Sequence, residues 1–351
     1  MNKNKKIAVA MSGGVDSSLA AALLTEKGYD VFGVTFRLHE SQDEESVLDA
    51  RKVAKQIGIY HHIIDLNEPF EKEVIHDFCQ EYEKGRTPNP CVVCNTRIKF
   101  GALLHAVQHL GASYLATGHY AQVKWDAQLD EFQLKKGVDK RQDQSYVLWG
   151  LNQDQVKYAV FPLGGYEKKT IRKMAGERNF VVSSKPDSQE ICFIPDHDYH
   201  RFLISRNPQL LRKGPMKTLE GETVGMHKGI AFYTIGQRRN LGIALGYPVY
   251  VAKIDAPNNT VYVGKKDQVF HTEVYVKNVN AISEAGFKEE IEVAAKIRYN
   301  MEETKALLKP VNHKTVILLF DQPQWAVAPG QSAVFYQDDI LLGGGIIEKK
   351  L

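Results

Sequence analysis

The apolar positions of this chain fall into short blocks, and their spacing changes character along its length. Lys6-Ile-Ala-Val-Ala10 is a run of the length of one buried strand. Leu19-Ala-Ala-Ala-Leu-Leu24 reads as a helix and Asp30–Thr35 as a second strand. An acidic loop over 40–45 leads to a helix at Ser46–Ile57, and His61–Asp65 is a third strand. Between Pro69 and Glu83, the positions Phe70, Val74, Ile75, Phe78, Cys79 and Tyr82 recur at helical spacing, which marks Cys79 as a core thiol. Another helix is predicted over Asn95–Leu110 and a fourth strand over Tyr114–Thr117. Strands alternating with helices predict α/β architecture with a doubly wound parallel sheet, whose ligand belongs at the carboxyl ends of the strands. Period-two segments at Ala121–Asp126 and Glu131–Gly137 predict a hairpin. Gln142–Tyr146 opens a short helix, and helical segments continue to about Asn179. From Tyr247 onward, β-branched runs alternate with turn signals such as Pro257-Asn-Asn259 and Ala328-Pro-Gly330, the pattern of a small C-terminal β-barrel.

The bend after the first strand is Met11-Ser-Gly-Gly-Val-Asp-Ser-Ser18. Its glycines let backbone approach an anion, and the free N–H groups of the following helix point at that anion. Ser12, Ser17 and Ser18 add hydroxyls. Asp16 repels phosphate, so its place here makes sense if it holds a bridging Mg2+. An ordinary capped helix after a glycine turn explains SGG alone, but not the whole run. No lysine follows the glycines, so this is not a Walker A loop. It resembles the PP-loop of ATP pyrophosphatases, which cleave ATP between the α and β phosphates and adenylate a carbonyl oxygen. The strand ends at Thr35-Phe36 and Thr117-Gly118-His119 would line the same nucleotide pocket, with Phe36 against the adenine.

Composition narrows the partner. The chain has 351 residues, 43% apolar and 25% charged, with a net charge of +3, too little to imply nucleic acid by itself. Two or three domains are expected: 1–200 for ATP binding and catalysis, 201–258 as a basic domain, and 259–351 as the barrel. Between Arg201 and Gly242, eight Lys/Arg stand against two acids, which suits a phosphate backbone. A solvated basic face is the bland alternative. Neither a secretory signal nor a membrane-length apolar segment is expected, which points to the cytoplasm.

The four cysteines, Cys79, Cys91, Cys94 and Cys192, are expected to be reduced there. Cys91 and Cys94 follow Thr87-Pro-Asn-Pro90. Cys94 sits at a predicted helix start with Arg97 and Lys99 close by, a setting that favours thiolate. Cys192 lies far off in sequence, near Asp187 and Glu190. Two thiol loops over one ATP pocket suggest that one carries sulfur and the other acts on the acceptor. A structural zinc site would need a fourth ligand that the spacing does not offer.

Met11–Ser18, Thr87-Pro-Asn-Pro90 with Cys94-Asn95, Ile98-Lys-Phe100, Thr117-Gly-His-Tyr120, Asp143-Gln-Ser-Tyr146, Lys185-Pro-Asp-Ser188 and Ile191-Cys-Phe193 stand in an order that resembles the tRNA-specific 2-thiouridylases. Phe232–Arg238, Lys296-Ile-Arg-Tyr299 and Ala328-Pro-Gly-Gln331 extend the resemblance over nearly the whole chain. The resemblance implies that ATP adenylates the C2 oxygen of the wobble uridine in tRNA of the Lys, Glu or Gln type, and that sulfur replaces it. Cys192 would carry a persulfide received from an upstream sulfur-donor protein. Cys94 would be the partner nucleophile, and the two can close a disulfide as sulfur is released. Ala10, Met11, Ser12, Gly13, Gly14, Val15, Asp16, Ser17, Phe36 and Gly118 would bind ATP. Asn89, Pro90 and Cys91 would surround the target base, while His119, Gln142, Asp143, Gln144, Arg298, Tyr299 and Gln331 would contact tRNA.

Two positions depart from the family pattern. Aspartate is commoner where Cys91 stands, and lysine is frequent where Gln142 stands. Cys91 can move a proton, or it can join Cys94 and Cys192 in holding a [4Fe-4S] cluster with one open iron for hydrosulfide. Another PP-loop ligase would need neither Cys94 nor Cys192. A non-catalytic RNA-binding protein would not need Asp16.

Overall fold

Five parallel strands organise the N-terminal part of the chain. The computed structural model describes residues 5–38, 44–186, 191–194, 196 and 198–348. Its first strands are β1 (Lys6–Ala10), β2 (Asp30–Arg37), β3 (Tyr60–Asp65) and β4 (Tyr114–Ala116). The hairpin strands β5 (Ala121–Asp126) and β6 (Glu131–Lys136) follow, then β7 (Ala159–Val160). The first sheet runs β3-β2-β1-β4-β7, every pairing parallel. Ala8, Ala10, Phe32 and Val34 face one apolar core, and Ile7, Val9, Met11 and Val31 face the other. That alternation is what a sheet covered on both faces requires. The chain leaves β1 toward β2 on one side and returns at β4 on the other. The crevice between the ends of β1 and β4 is therefore the place for a ligand.

Helix α1 (Val15–Glu26) packs behind the sheet through Leu19, Ala20, Ala21 and Leu23. Two later helices depart from the plain α-helices that the periodicity predicts. The stretch from Asn67 to Glu83 holds a π-helical turn at Glu71–Ile75. The next helix begins at Pro90, ahead of the expected Asn95, because proline suits a first helical position. It is π-helical from Cys94 to Leu103. Gln155 explains part of this: its Nε2 donates to the carbonyls of Thr96 (3.0 Å) and Phe100 (2.9 Å). A side chain feeding the backbone ladder from outside favours the wider turn.

The middle unit is a four-stranded sheet of β8 (Gly214–Thr218), β9 (Thr223–His227), β10 (Tyr250–Asp255) and β11 (Thr260–Gly264), ordered β10-β11-β8-β9. An end at residue 258 would cut between β10 and β11, which pair with each other, and β11 also pairs with β8. This unit therefore extends through Gly264.

The remaining strands are β12 (Phe270–Ala281), β13 (Ile291–Lys296), β14 (Thr304–Asn312), β15 (Thr315–Trp325), β16 (Ser332–Gln337) and β17 (Ile340–Glu348). They follow the order β12-β15-β14-β13-β16-β17, and a β12–β17 pairing closes them into an antiparallel barrel. The hairpin β5–β6 extends the same sheet, because β17 pairs with β6. Trp149 Nε1 donates to Ser332 Oγ and Tyr146 OH to the Ser332 carbonyl, each at 2.9 Å. Among the described residues, no helix is long and apolar enough to cross a membrane.

Gln155→Met keeps the length of the side chain and leaves two carbonyls without their donor. It should lower stability by about 1–3 kcal/mol, seen as a lower midpoint in urea unfolding followed by circular dichroism. An unchanged midpoint would show that the π-helix needs no support from Gln155.

Candidate active site

The bend after β1 folds as an anion cradle. Gly13 has φ +74°, and a Cβ there would lie 2.2 Å from the Ser46 carbonyl oxygen, so only glycine fits. Gly14 caps α1 without any side-chain hydrogen bond, which leaves the first N–H groups of the helix open. Ser17 braces the turn: its Oγ donates to the Gly14 carbonyl (3.2 Å) and accepts from Ser12 N (3.1 Å). Ser12 is exposed. Ser18, expected to offer a hydroxyl to phosphate, is fully buried, and its Oγ has no partner among the described residues.

The mouth of the cradle is fixed by neighbouring strand ends. Met11 N donates to the Val34 carbonyl (2.8 Å) and Thr35 Oγ1 to the Met11 carbonyl (2.7 Å). The Thr35 proton being spent, His61 Nε2 donates to Thr35 Oγ1 (2.9 Å). Burial pushes His61 down to about 4, so its ring is neutral at neutral pH. Phe36 is half-buried beside this corner, against the core. Across the crevice Gly118 nearly touches the loop: a Cβ on it would be 2.9 Å from Ser17 N.

Asp16 is not a bare carboxylate. Its two oxygens accept from Lys168 Nζ at 2.9 and 2.8 Å, and Oδ1 also accepts from Tyr120 OH at 2.8 Å. Lys168 opens the helix Lys168–Glu177, its backbone N–H held by Asp139 Oδ2 (3.0 Å), and its ammonium lies 5.5 Å from the Tyr120 ring centroid. Lys168 thus sets a positive charge against the carboxylate that the sequence suggested for Mg2+. Nothing in the spacing of the sequence signals this, since Lys168 lies 152 positions from Asp16.

The thiols gather on the other side of the β4 end. Cys94 is buried, and burial pushes its thiol up to about 12. That reverses the expectation of a thiolate at a helix start, because Cys94 is the fifth residue of its helix and lies inside the core. Cys91 and Cys192 keep accessible surface, yet the protein packed around them raises both thiols as well. Cys192 and Cys91 each raise Cys94, Cys91 raises Cys192, and Lys99 opposes burial at all three. The π-helix accounts for part of this placement. Bonding from i to i+5 brings Lys99 over Cys94, whereas an α-helix would carry it well round the axis. Cys79 is separate, half-buried on another helix, and pushed up to about 11 by burial.

His119 links the two halves. It follows Gly118 in sequence, is 8% exposed, and pairs through Nδ1 with Thr117 Oγ1 at 2.7 Å. Burial first, then the Lys99 charge, holds it well below the ordinary imidazole range. It therefore sits neutral and buried at the end of β4.

The other residues expected at tRNA divide in two. Asn89, half-buried, precedes the helix as its cap residue, Pro90 is buried, and Cys91 stands exposed beside them. Tyr299 is 38% exposed, donates from its hydroxyl to the Asp143 carbonyl (3.2 Å) and meets the Tyr146 ring edge-on. Gln142 is half-buried. The remaining groups are spent on the fold. Asp143 accepts from Gly137 N and from both N and Oγ of Ser145, and Gln144 Oε1 accepts from Tyr120 N. Arg298 Nη2 donates to the carbonyls of Ile235 (3.2 Å) and Ala326 (2.7 Å), while its buried Nε has no partner among the described residues. Gln331 Nε2 donates to the Thr87 carbonyl (2.9 Å). Asp187, Ser188 and Glu190 lie outside the described residues.

Among the described residues, no three His, Cys, Asp or Glu side chains are gathered closely enough to hold a single metal ion.

By fold and site, the N-terminal unit is a PP-loop type of ATP-binding domain with a thiol centre built beside the nucleotide crevice. Comparison with known proteins agrees in each part. Residues 5–196 match the family model described as tRNA methyl transferase HUP domain, 201–265 its PRC-barrel domain, and 271–347 the aminomethyltransferase beta-barrel domain. The tRNA-specific 2-thiouridylase MnmA 2 of Thermoanaerobacter sp. (strain X514) is 46% identical over 363 residues, covering 100% of both chains. That of Halothermothrix orenii is 47% identical over 355 residues, covering 98% of this chain and 99% of its own. The chain belongs to the tRNA-specific 2-thiouridylase family. Among solved structures, a 4-thiouridine synthetase in complex with RNA and ATP aligns with 58% of this chain and 51% of its own, at 17% identity and a TM-score of 0.37.

Because Lys99 lowers all three thiols, Lys99→Met should raise each further and so reduce the thiolate present at pH 8. Alkylation of Cys91 and Cys192 by iodoacetamide should slow by about three- to tenfold, with Lys99→Arg close to the parent rate. Mass spectrometry of the labelled peptides reads the result, and equal rates in Lys99→Met would remove Lys99 from the thiol centre.

Proposed function

We propose that this protein replaces the C2 oxygen of the wobble uridine of tRNA by sulfur, using ATP to activate that oxygen. The observation that carries the reading is the step from Gly118 to His119. Gly118 lies against the ATP loop and His119 feels the Lys99 charge that reaches every thiol of the centre. The sequence step from Gly118 to His119 thus runs from the ATP loop toward the charge that acts on the thiols. A base presented at Asn89, Pro90 and Cys91 would meet both.

The chemistry runs in two stages. The C2 oxygen attacks the α-phosphorus of ATP, pyrophosphate leaves, and a poor leaving group becomes AMP. Lys168 and the open N–H groups of α1 favour the negative charge that builds on the phosphates. Asp16 is the residue that would hold the Mg2+ accompanying ATP. Sulfur then arrives as a persulfide on Cys192, loaded by an upstream sulfur-donor protein. Cys94 attacks the Cys192 sulfur as thiolate, a disulfide forms between the two, and the outer sulfur leaves as hydrosulfide carrying the electron pair. Hydrosulfide attacks C2 and expels AMP, and a cellular thiol later reduces the disulfide. This route needs only Cys94 and Cys192 and leaves Cys91 to take or give a proton beside the base. We favour it over a [4Fe-4S] cluster on Cys91, Cys94 and Cys192, since it needs only the two cysteines that match the family pattern. Tyr299, partly exposed, offers a ring for stacking on tRNA. Free cysteines suit a reducing compartment, and we place the reaction in the cytoplasm.

With ATP, Mg2+, a sulfur donor and tRNA of the Lys, Glu or Gln type, the protein should form 2-thiouridine, read as retardation on a thiol-sensitive gel. Cys94→Ser and Cys192→Ser should each abolish the product and retain AMP formation. Lys168→Met and Asp16→Asn should each slow AMP formation by about a hundredfold. Full thiolation by both cysteine variants would sink the relay. Anaerobically purified protein should be colourless, iron-free and active, and iron that is lost on Cys91→Ser would return the cluster.

A further inference from the structure

The segment Thr87-Pro-Asn-Pro90 carries two prolines in four residues, so half of its positions have no N–H to donate. Apart from Val92 N on the Asn89 carbonyl, its hydrogen bonds come from distant parts of the chain. Thr87 N donates to the Pro329 carbonyl at 2.9 Å. The Thr87 carbonyl accepts from Gln331 Nε2 at 2.9 Å. Thr87 Oγ1 donates to Thr234 Oγ1, 3.3 Å away in the middle unit. Arg86, one residue earlier, is ion-paired with Glu348 on β17 and with Glu81. All three units of the protein therefore meet on the residue that leads into the thiol helix.

The barrel side of this junction is itself rigid. Gly330 has φ +93°, and a Cβ on it would fall 2.8 Å from Thr87 N and 3.0 Å from the Thr87 carbonyl carbon and oxygen. Its N–H donates to the Ile347 carbonyl, and Ile347 N donates to the Gln331 carbonyl, so the turn is sewn to β17. Arg298 joins the Ile235 and Ala326 carbonyls at the back of the same junction.

We propose that the turn Ala328-Pro-Gly-Gln331 is a positioning element for the thiol centre, and that Gln331 acts through the Thr87 carbonyl to hold Asn89, Pro90, Cys91 and Cys94 in place. The proposal rests on the thiolation reading for its catalytic consequence, but its structural half stands without it. It also changes the part assigned to Gln331. The amide that resemblance would point at RNA is instead spent on the protein. The barrel sets the geometry of the base-receiving loop from behind.

Two variants break the junction by different routes. Gln331→Glu keeps the shape and replaces the donor with a carboxylate facing the Thr87 carbonyl. Gly330→Ala leaves Gln331 untouched and drives a methyl group into the Thr87 backbone. Iodoacetamide labelling of the full-length protein, with neither ATP nor tRNA, should show Cys94 reacting about three- to tenfold faster in both, the change in opening that a lost hydrogen bond permits. Cys79 should label at the parent rate in both and serves as the control for general unfolding. In the thiolation assay both variants should lose kcat with little change in the KM for tRNA. Parent-like Cys94 labelling in Gln331→Glu overturns the proposal, whatever happens to tRNA affinity. A raised KM with intact kcat overturns it too, and would return Gln331 to the RNA surface. If the parent protein makes no 2-thiouridine, the thiolation reading fails, and the labelling arm still decides whether the junction holds the loop.

Discussion

The pairing of β17 with β6 is the contact on which the rest of the structure depends. It makes a hairpin from the ATP-binding part of the chain the outer edge of the barrel sheet. A flexibly tethered barrel would bind RNA without constraining where the base lands. A shared sheet transmits position, because strand register is fixed by backbone bonds and by which faces are apolar. The interface is also an interior. Tyr146, Leu148 and Trp149 share one core with Val334, Tyr336 and Leu341. The polar atoms that this burial would strand are paired across it, Trp149 and Tyr146 on Ser332 and Asn280 on the carbonyls of Trp149 and Leu151. Buried polar groups without such partners would cost more than the apolar contact contributes.

The same accounting explains the thiol centre. Burial alone would leave three inert thiols, since removal from water disfavours thiolate. Cys91 and Cys192 also raise Cys94, and Cys91 raises Cys192, so bringing them together deepens the problem. Lys99 is the charge that works against both, and a π-helical stretch is what carries it to Cys94. The structure thus accepts irregular backbone beside the chemistry and supports it from outside through Gln155. Wide helical turns at functional sites commonly have this character. Asp16 follows a parallel logic at the other end of the crevice, where Lys168 and Tyr120 balance a carboxylate that would otherwise oppose phosphate.

Local patterns were legible in the sequence, and distant pairings were not. Alternation of strand and helix announced the parallel sheet because each element leaves its own period in the residues, as at Ile7–Ala10 and along Phe70–Tyr82. The bend Met11–Ser18 was legible for the same reason, its glycines and serines lying in one run. Lys168 left no trace, since a lysine opening a helix is commonplace and its partner is far away in sequence. The hairpin Ala121–Lys136 was legible as a hairpin, but nothing in it names β17 as its neighbour. The turn at Pro257-Asn-Asn259 was legible as a turn, but nothing local says that the strands it joins, β10 and β11, belong with β8 in the middle unit, which therefore runs past 258. The thiolate expected at Cys94 failed on a shift of five residues. Proline at position 90 starts the helix early, and that places Cys94 in the core.

His119 shows how these pieces depend on one another. A neutral, buried imidazole between the ATP loop and Lys99 does little as a surface contact, but it is well suited to keep two charged half-sites apart. Were it protonated, its charge would stand beside Lys99 in an apolar setting, against Phe100 and Phe161. Burial and the like charge of Lys99 both disfavour that state. The bond from Thr117 then fixes the ring, and with it the peptide that brings Gly118 against Ser17. Gly118 thus stands against the loop that carries Asp16, while the next residue, His119, stays neutral under the Lys99 charge that also lowers the thiols.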